Sequence, residues 1–361
     1  MLRWGEKYYL CAQSRINHQK YRNMASNLEK LVTRYRELGI DNQIDYEKFY
    51  LYSLITHSTA IEGSTITALE NQIMFDHGVS LKGKTIVEQS MNLDLKVAYE
   101  KAIELAKSHA PFTLEMLVNL SSLVMRNTGV EYKTALGDFS SARGELRLLN
   151  VTAGVGGRSY MNYNKVPVKL SEFCQLLNAN RAQASDMSID SLYDLSFDAH
   201  YDLVTIHPWA DGNGRMARLV MNMLQFEFGL IPTKICSEDK EDYIKALVET
   251  REKEDINIFR AFMLAMMEKN LTKEIEAFLR SIEADADVTT ESTSKKGSQN
   301  SSEKIIAILS EDGKLSAVAL AKRIGISAKA VEKHLARLKT DGLIERVGPA
   351  KGGHWVVKKQ R

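Results

Sequence analysis

Residues that interrupt helices are scarce in this sequence, with 5 prolines and 21 glycines among 361 residues. Leu, Ala, Glu and Lys, which lose little side-chain freedom on a helix, are abundant. Hydrophobic residues make up 44% and charged residues 26%, which excludes collagen-like, low-complexity and wholly disordered classes. The composition predicts a mainly α protein.

Long apolar runs are also missing. No stretch approaches eighteen consecutive apolar residues, and Arg3, Glu6 and Lys7 interrupt the opening segment. A membrane-spanning helix or a signal peptide needs a continuous apolar region. We therefore expect no membrane partner and a cytoplasmic location.

Cysteine is equally scarce. Cys11, Cys174 and Cys236 are odd in number, far apart and in none of the short spacings of zinc sites. The sequence therefore predicts neither a disulfide framework nor a zinc site, and these cysteines are expected to be core or surface thiols.

Charge is distributed unevenly along the chain. From Glu303 to the end, 13 Lys and Arg stand against 6 Asp and Glu, a net charge of +7, whereas residues 1–302 carry 35 against 40, a net charge of −5. The two parts are expected to meet different partners. Between them, residues 283–302 (EADADVTTESTSKKGSQNSS) are nearly free of large apolar side chains, which predicts a flexible linker.

Apolar residues before this linker recur at spacings of three and four, for example over 28–38 and 49–55, which predicts amphipathic helices. Residues 148–168 (LLNVTAGVGGRSYMNYNKVPV) differ, because short β-prone pieces flank several glycines. We predict a β-hairpin there.

The most informative segment is 207–218, HPWADGNGRMAR. A predicted helix ends before Pro208, which cannot extend it. A small-residue loop then leads into a second helix, and such a loop presents backbone N–H groups that bind anions. The loop residues are Gly212, Asn213 and Gly214.

Charged side chains in the same segment suggest phosphate chemistry. Arg215 and Arg218 lie three apart, so both can approach one anion, for which polyphosphate is the natural candidate. Asp211 would repel phosphate unless a hard cation such as Mg²⁺ lay between them. His207 titrates near neutrality and can act as a general base toward a hydroxyl. Singly these residues also fit a turn, a capping histidine and surface arginines, but their combination favours a site.

This segment resembles the Fic motif, H-x-F-x-(D/E)-G-N-G-R-x-x-R, with Trp209 in place of the usual Phe. The resemblance implies a Fic-fold helical core that transfers AMP from ATP to a Tyr, Ser or Thr hydroxyl of a protein target. It also implies that His207 is the base, that Asp211 binds Mg²⁺ and that Arg218 faces the γ-phosphate.

A second signature, Ser58 to Gly63 (STAIEG), resembles the inhibitory helix (S/T)-x-x-x-E-(G/N) of some Fic proteins. Ser58 and Glu62 are four apart and so share a helical face. A Glu62 carboxylate paired bidentately with Arg218 would deny that guanidinium to the γ-phosphate. Glu62 is therefore predicted to be inhibitory.

Two further elements resemble parts of the family. Residues 148–163 resemble the β-hairpin flap that holds a target by strand addition, although Asn162 and Tyr163 replace the usual Pro-Pro. Tyr243 resembles a residue that lines the adenine pocket, although the customary Asn-x-Gly-Asp beyond it is altered to REKED.

The tail, from Glu303, resembles the winged helix-turn-helix family. Three helices are predicted, the last running from an N-cap at Ser327 to Gly342, and two short strands follow. Its Lys and Arg residues favour contact with the phosphates of DNA, and a protein-interaction module is the alternative. The basic positions are Lys329, Lys333, Arg337, Lys339, Lys351, Lys358, Lys359 and Arg361.

Three other patterns in the sequence are weaker evidence of function. Residues 78–85 (GVSLKGKT) fit the P-loop expression, but the preceding segment has helical spacing rather than that of a buried strand, so we predict a loop between helices. His200 is expected to be a helix residue rather than a ligand. The aromatic residues Trp4, Tyr8 and Tyr9 are expected in packing or in homodimer contacts.

The predicted organisation is an N-terminal helical region with the inhibitory helix (1–110), a Fic core (111–282), the linker (283–302) and the winged helix (303–361). The favoured function is an autoinhibited, Mg²⁺-dependent protein adenylyltransferase. The alternative is a DNA-binding regulator whose Fic core senses a nucleotide or removes AMP, because Glu62 could orient a water molecule.

Overall fold

The computed structural model describes residues 27–153, 157–291, 301–324, 327–340, 342–348 and 354–358. Trp4, Tyr8, Tyr9 and Cys11 lie outside these ranges, as do Gly154 and Gly156 of the predicted flap and the basic residues Lys351, Lys359 and Arg361. Contacts divide the chain into two compact units, Met1–Leu279 and Arg280–Arg361. The domain limits read from the sequence stay predictions.

Helices dominate both units, which confirms the predicted mainly α fold class. In the described part of the first unit they are α1 (27–37), α2 (Tyr46–Ile61), α3 (Ala68–His77), α4 (Ile86–Lys107), α5 (Leu114–Val124), α6 (Val166–Arg181), α7 (Ile189–Ile206), α8 (Asn213–Glu227), α9 (Lys240–Lys253) and the start of α10 (Ile256–Glu291).

Local hydrogen bonds set several helix ends. Thr67 and Thr85 each form a capping box with a glutamate three residues later, at the starts of α3 and α4. Gly78 ends α3 in the left-handed conformation. Residues 78–85 therefore connect two helices, as predicted, and do not follow a strand.

Helix α8 is the central element of the first unit and packs against α7, α4, α5 and α2. Most of its side chains are buried, including Arg215 and Arg218. Buried polar groups require partners, and the Asn222 amide accordingly accepts a hydrogen bond from Tyr99 at 2.7 Å. Both arginines of α8 therefore lie in the core of the first unit.

A β-hairpin lies close to the predicted one in sequence but at a different position. Strands β1 (Glu131–Thr134) and β2 (Gly137–Ser140) pair antiparallel, with Thr134 opposite Gly137. The sequence reading did not identify this hairpin, because its polar, four-residue strands give a weak alternation.

The hairpin predicted over 148–168 is present in a much shorter form. Thr152 and Ser159 pair antiparallel, and the N–H groups of Ala153 and Tyr160 donate to Arg158 O and Val151 O at 3.1 and 3.0 Å. From Val166 the segment is helix α6. The carbonyls of Leu149 and Met161 accept hydrogen bonds from the Arg147 guanidinium. Those carbonyls are therefore not part of a strand ladder.

The second unit contains α11 (Ser301–Glu311), α12 (Ala317–Ile324), α13 (Ala328–Thr340), β3 (Ile344–Val347) and β4 (His354–Val357). The strands pair antiparallel, with Arg346 opposite Trp355. The Ser327 hydroxyl caps α13, and Gly342 follows its end with a φ of 72°. The predicted three helices and two-stranded wing are confirmed.

The segment predicted as a linker begins as helix. Helix α10 continues to Glu291, so the first part of 283–302 is helical rather than coil, because no Pro or Gly stands there to interrupt the helix. In the described ranges, no helix combines the length and apolarity required to span a bilayer.

Candidate active site

The loop between α7 and α8 reverses the chain at His207. This residue adopts the left-handed conformation (φ 52°, ψ 63°), which is uncommon for residues other than glycine and asparagine. Its N–H donates to Leu203 O at 3.0 Å and closes α7. Pro208 follows, so the helix ends where the sequence predicted.

Two side chains fix the shape of this loop. The Asn213 amide donates to Trp209 O at 2.9 Å and accepts from Trp209 N–H at 3.1 Å. The Trp209 ring is fully buried, and its Nε1 donates to Gly144 O at 2.9 Å. Tryptophan in place of phenylalanine therefore keeps the aromatic core contact and adds a hydrogen bond that phenylalanine lacks.

Arg147 holds the same loop from outside the motif, and its role was not predicted from the sequence. Its side chain is 1% exposed and donates to three carbonyls: His207 at 2.8 Å, Leu149 at 2.7 Å and Met161 at 2.5 Å. Its backbone N–H donates to Pro208 O at 3.1 Å. Arg147 thus ties residues 148–161 to the His207 loop. A lone arginine in an apolar stretch gave no distinctive signal.

The His207 imidazole is held in one tautomer. Nδ1 lies 3.3 Å from Val204 O, and a carbonyl only accepts, so Nδ1 carries the proton and Nε2 keeps its lone pair. Burial lowers the pKa of His207 to about 4, with Arg147 and Arg251 adding to the effect. At neutral pH the ring is therefore an unprotonated base.

Tyr160 covers this base. Its ring stacks on the imidazole with centroids 3.7 Å apart and planes at 16°, and the Arg251 guanidinium lies 5.4 Å from the Tyr160 centroid. A residue from the predicted flap therefore contacts His207. The sequence reading did not single out Tyr160.

Arg218 is enclosed by the end of helix α2. Its side chain is 4% exposed, and its Nη2 lies 2.5 Å from Glu62 Oε1. Nε donates to Ser58 Oγ at 2.8 Å, and Nη2 also donates to Ser58 O at 3.0 Å. The predicted pairing of Glu62 with Arg218 is present, but the predicted bidentate geometry is wrong: one carboxylate oxygen binds, because Ser58 occupies Nε.

The Glu62 carboxylate is charged in this arrangement. Burial raises its pKa, but the charge and hydrogen bond of Arg218 outweigh burial, so the pKa lies below its usual value. A Cβ on residue 214 would stand 2.7 Å from Glu62 Oε1 and 3.1 Å from Arg218 Nη1. Gly214 therefore permits the ion pair to form against the start of α8.

The region that contains this loop matches a known protein family. The family described as "Fic/DOC family" matches residues 111–225, which include the loop and most of α8. These residues are a Fic/DOC domain. The family described as "Winged helix-turn-helix DNA-binding" matches residues 300–345.

The curated proteins that resemble this chain are named protein adenylyltransferases. The "Protein adenylyltransferase fic-1" of Caenorhabditis elegans is 27% identical over 204 residues, which are 56% of this chain and 36% of the relative. The "Protein adenylyltransferase Fic" of Nematostella vectensis is 27% identical, covering 63% and 48%, and that of Drosophila mojavensis is 29% identical, covering 60% and 40%. The chain thus spans less than half the length of these relatives.

Solved structures support the Fic fold. A Fic family protein from Desulfovibrio desulfuricans is 20% identical with a TM-score of 0.55, and the match covers 95% of this chain and 97% of that one. A Fic domain containing signaling protein from Bacteroides thetaiotaomicron is 21% identical with a TM-score of 0.58, covering 70% and 96%.

The first arginine of the Fic motif contacts the end of α5. Arg215 is 3% exposed, with Nη1 3.4 Å from Val124 O and Nη2 3.0 Å from Met125 Sδ. Its Nε has no hydrogen-bond partner among the residues that the structure describes. Arg215 is thus held by the end of α5, and its convergence with Arg218 on one anion stays a prediction.

Asp211 stands at the lip of the Fic loop. Its side chain is 61% exposed, and Oδ1 accepts from Gly212 N–H at 2.6 Å and lies 3.9 Å from Arg215 Nη2. An exposed carboxylate held by a backbone amide suits Mg²⁺, which binds few protein oxygens and keeps several waters. Asp211 thus fits its predicted metal role.

Tyr243 is buried beside Arg218 and His200. It is 2% exposed, its hydroxyl is 2.9 Å from His200 Nε2, and it lies beside the Arg218 guanidinium. Tyr243 thus supports Arg218, and its predicted place in an adenine pocket stays a prediction. Burial and the charge of Arg218 lower the pKa of His200 to about 3, so this core histidine is neutral.

Proposed function

We propose that this chain is a protein adenylyltransferase that moves AMP from ATP to a Tyr, Ser or Thr hydroxyl of a protein target and releases pyrophosphate. The observation that carries the proposal is the Glu62–Arg218 ion pair at 2.5 Å, placed next to a loop that holds a neutral His207. The names of the curated relatives point to the same activity.

The proposed base is His207. Its Nε2 accepts the proton of the target hydroxyl, the oxygen attacks the α-phosphorus, and the bond to the departing pyrophosphate breaks. The Nδ1–H bond to Val204 O stabilises the resulting imidazolium. A pKa of about 4 keeps the ring unprotonated before the reaction at neutral pH.

The proposed phosphate site is the start of α8. Gly212 is the N-cap of this helix, and Asn213 and Gly214 are its first two residues, so all three lie at its N-terminal dipole end, which favours anions. Arg218 would neutralise the γ-phosphate. Mg²⁺ held by Asp211 would supply charge neutralisation to the phosphates when bound.

The proposed resting state is inhibited. Arg218 cannot pair with Glu62 and a γ-phosphate through the same Nη2, so one anion displaces the other. The Glu62 side chain is 33% exposed, which gives it a route out of the site. Displacement of Glu62, by substitution or by a partner, would activate the enzyme.

Transfer of labelled AMP tests this function. Purified chain is incubated with ATP labelled on the α-phosphate and Mg²⁺, as wild type, Glu62→Gly, and Glu62→Gly with His207→Ala. We expect protein-bound label to rise at least tenfold in the first variant and to disappear in the double variant. An absence of label in all three, with cell lysate supplied as target, would refute the proposal.

A second candidate function, DNA binding by the winged helix, is supported by exposed basic side chains on α13. Lys329, Lys333 and Lys339 are exposed there, while Val331 and Leu335 are buried. One face of α13 therefore packs and the other is basic, as phosphate contact requires.

Fluorescence anisotropy with a labelled mixed-sequence duplex tests this function. Affinity is expected to fall between 50 and 200 mM salt and to fall further in a Lys329→Ala, Lys333→Ala variant. The control is Lys82→Ala, an exposed lysine of the first unit. Equal affinity in all three proteins would remove DNA as a ligand of α13.

A further inference from the structure

A cluster of possible metal ligands lies outside the Fic loop. An imidazole nitrogen of His57, the Cys236 sulfur and a carboxylate oxygen of Glu238 all lie within 4.8 Å of one another. His57 precedes Ser58 on α2, whereas Cys236 and Glu238 belong to the turn before α9. The fold thus joins ligand types that are far apart in the sequence.

We propose that His57, Cys236 and Glu238 bind a divalent transition-metal ion of the Zn²⁺ class, with water as the fourth ligand. Nitrogen, thiolate and carboxylate are the donors that zinc takes, at about 2.0–2.3 Å, in tetrahedral geometry. Such bond lengths place neighbouring donors roughly 3–4 Å apart. Small side-chain movements from the present spacing bring them into range.

The backbone already arranges these donors. Cys236 is the N-cap of the 3₁₀ turn Ser237–Asp239, and this turn places the Glu238 side chain beside it. The Ser237 N–H donates to His57 Nδ1 at 3.2 Å, which joins α2 to the turn. Because Nδ1 accepts this bond, Nδ1 is the unprotonated nitrogen, and coordination of a metal through Nδ1 would replace the Ser237 hydrogen bond.

The two lysines near the three ligands do not oppose a bound cation, because each is paired with a carboxylate. Lys234 pairs with Glu274 at 3.0 Å, and Lys269 pairs with Asp239 at 2.6 Å, so both ammonium charges are compensated. A thiolate and the Glu238 carboxylate would then face the metal. Cys236 Sγ donates to Asn270 Oδ1 at 3.2 Å, and metal binding would release that proton.

Access comes from the Glu238 side. Glu238 is exposed, His57 is half-buried and Cys236 is buried, so an ion can enter past the carboxylate and retain a water. The sulfur and nitrogen donors disfavour Mg²⁺, which prefers an all-oxygen octahedral shell. This site therefore differs in chemistry from the Asp211 position.

Metal binding here has a consequence that rests on the proposed function. The ion would fasten α2, whose end carries Ser58 and Glu62, to the turn that leads into α9. A fastened α2 keeps Glu62 on Arg218, so zinc is expected to lower AMP transfer by the wild type. Glu62→Gly, which lacks the inhibitory carboxylate, is expected to be insensitive.

Direct binding is measured first, because it needs no activity. Tag-free, chelator-treated full-length chain is titrated with Co²⁺ and then with Zn²⁺. We expect one equivalent to bind, with a thiolate-to-cobalt charge-transfer band that zinc removes. Cys236→Ser should abolish the band and weaken binding at least tenfold. The matched control, Cys174→Ser, removes a buried thiol elsewhere and should change neither.

Two further variants distinguish the loss of a metal ligand from misfolding. Glu238→Gln alters an exposed side chain and His57→Asn a half-buried one, and each should weaken Co²⁺ binding at least tenfold while melting cooperatively. No saturable binding, or an undiminished thiolate band in Cys236→Ser, would overturn the proposal. If metal binds as expected but no variant transfers AMP, the proposed function fails and the metal site stands.

Discussion

Tyr160 and His207 lie face to face, with their ring centroids 3.7 Å apart. The stack shields the imidazole from water and contributes to the burial that lowers the pKa of His207 to about 4. It also covers the group that must meet a target hydroxyl. Tyr160 therefore links protonation of the proposed base to the position of residues 148–161.

Removing this ring should move the pH dependence of catalysis. A base works only when unprotonated, so activity falls as pH drops through its pKa. In a Glu62→Gly background, Tyr160→Ala exposes His207, and its pKa rises toward the ordinary value of about 6.5. The acid limb of the AMP-transfer rate should shift to higher pH.

Tyr160→Phe is the matched control, because it keeps the stacked ring. It should retain the acid limb of the parent protein. Identical acid limbs for the alanine and phenylalanine variants would show that the stack does not set the protonation of His207.

Arg147 should matter for stability more than its place outside the motif suggests. Arg147→Ala leaves three part-buried carbonyls without their donor, which we expect to cost about 3 kcal/mol of unfolding free energy. Arg143→Ala is the control, since Arg143 is exposed and its ion pairs with Glu131 and Glu145 lie at the surface. That change should stay within about 0.5 kcal/mol. Urea unfolding that gave equal losses for both would contradict this role.

Much of the site could be predicted because its signals are local. The stop at Pro208, the loop of small residues and the shared face of Ser58 and Glu62 each depend on residues close in sequence, and the structure places them as expected. The Glu62–Arg218 pair joins two such local signals.

Other features depended on tertiary packing that no local pattern encodes. Arg147 binds carbonyls from two separate segments, so its role appears only after folding. Arg215 is drawn to α5 by Val124 O and Met125, although helical spacing places it near Arg218. The turns and glycines of residues 148–163 predicted a longer hairpin than the one that forms, because the Arg147 guanidinium binds the carbonyls of Leu149 and Met161 on either side of the paired stretch.

His200 gives a pH prediction for stability. Its pKa is about 3 in the folded chain and about 6.5 when unfolded. The unfolded state therefore binds the extra proton, and the contribution to stability present above pH 6.5 declines as the pH falls toward 3. Between pH 7 and pH 5 this amounts to about 2 kcal/mol.

His200→Gln removes that titration while leaving an amide able to bond the Tyr243 hydroxyl. The stability lost between pH 7 and pH 5, measured by urea unfolding, should therefore be smaller in the variant by about 2 kcal/mol. An equal acid sensitivity in both proteins would mean that His200 is protonated in the folded chain.

Competition between Glu62 and a triphosphate for Arg218 is tested most directly by calorimetric titration with ATP and Mg²⁺. Glu62→Gly should bind ATP at least tenfold more tightly than the wild type. Adding Arg218→Ala to Glu62→Gly should abolish that gain. Equal ATP affinity in the wild type and Glu62→Gly, or a gain that survives the loss of Arg218, would contradict the account.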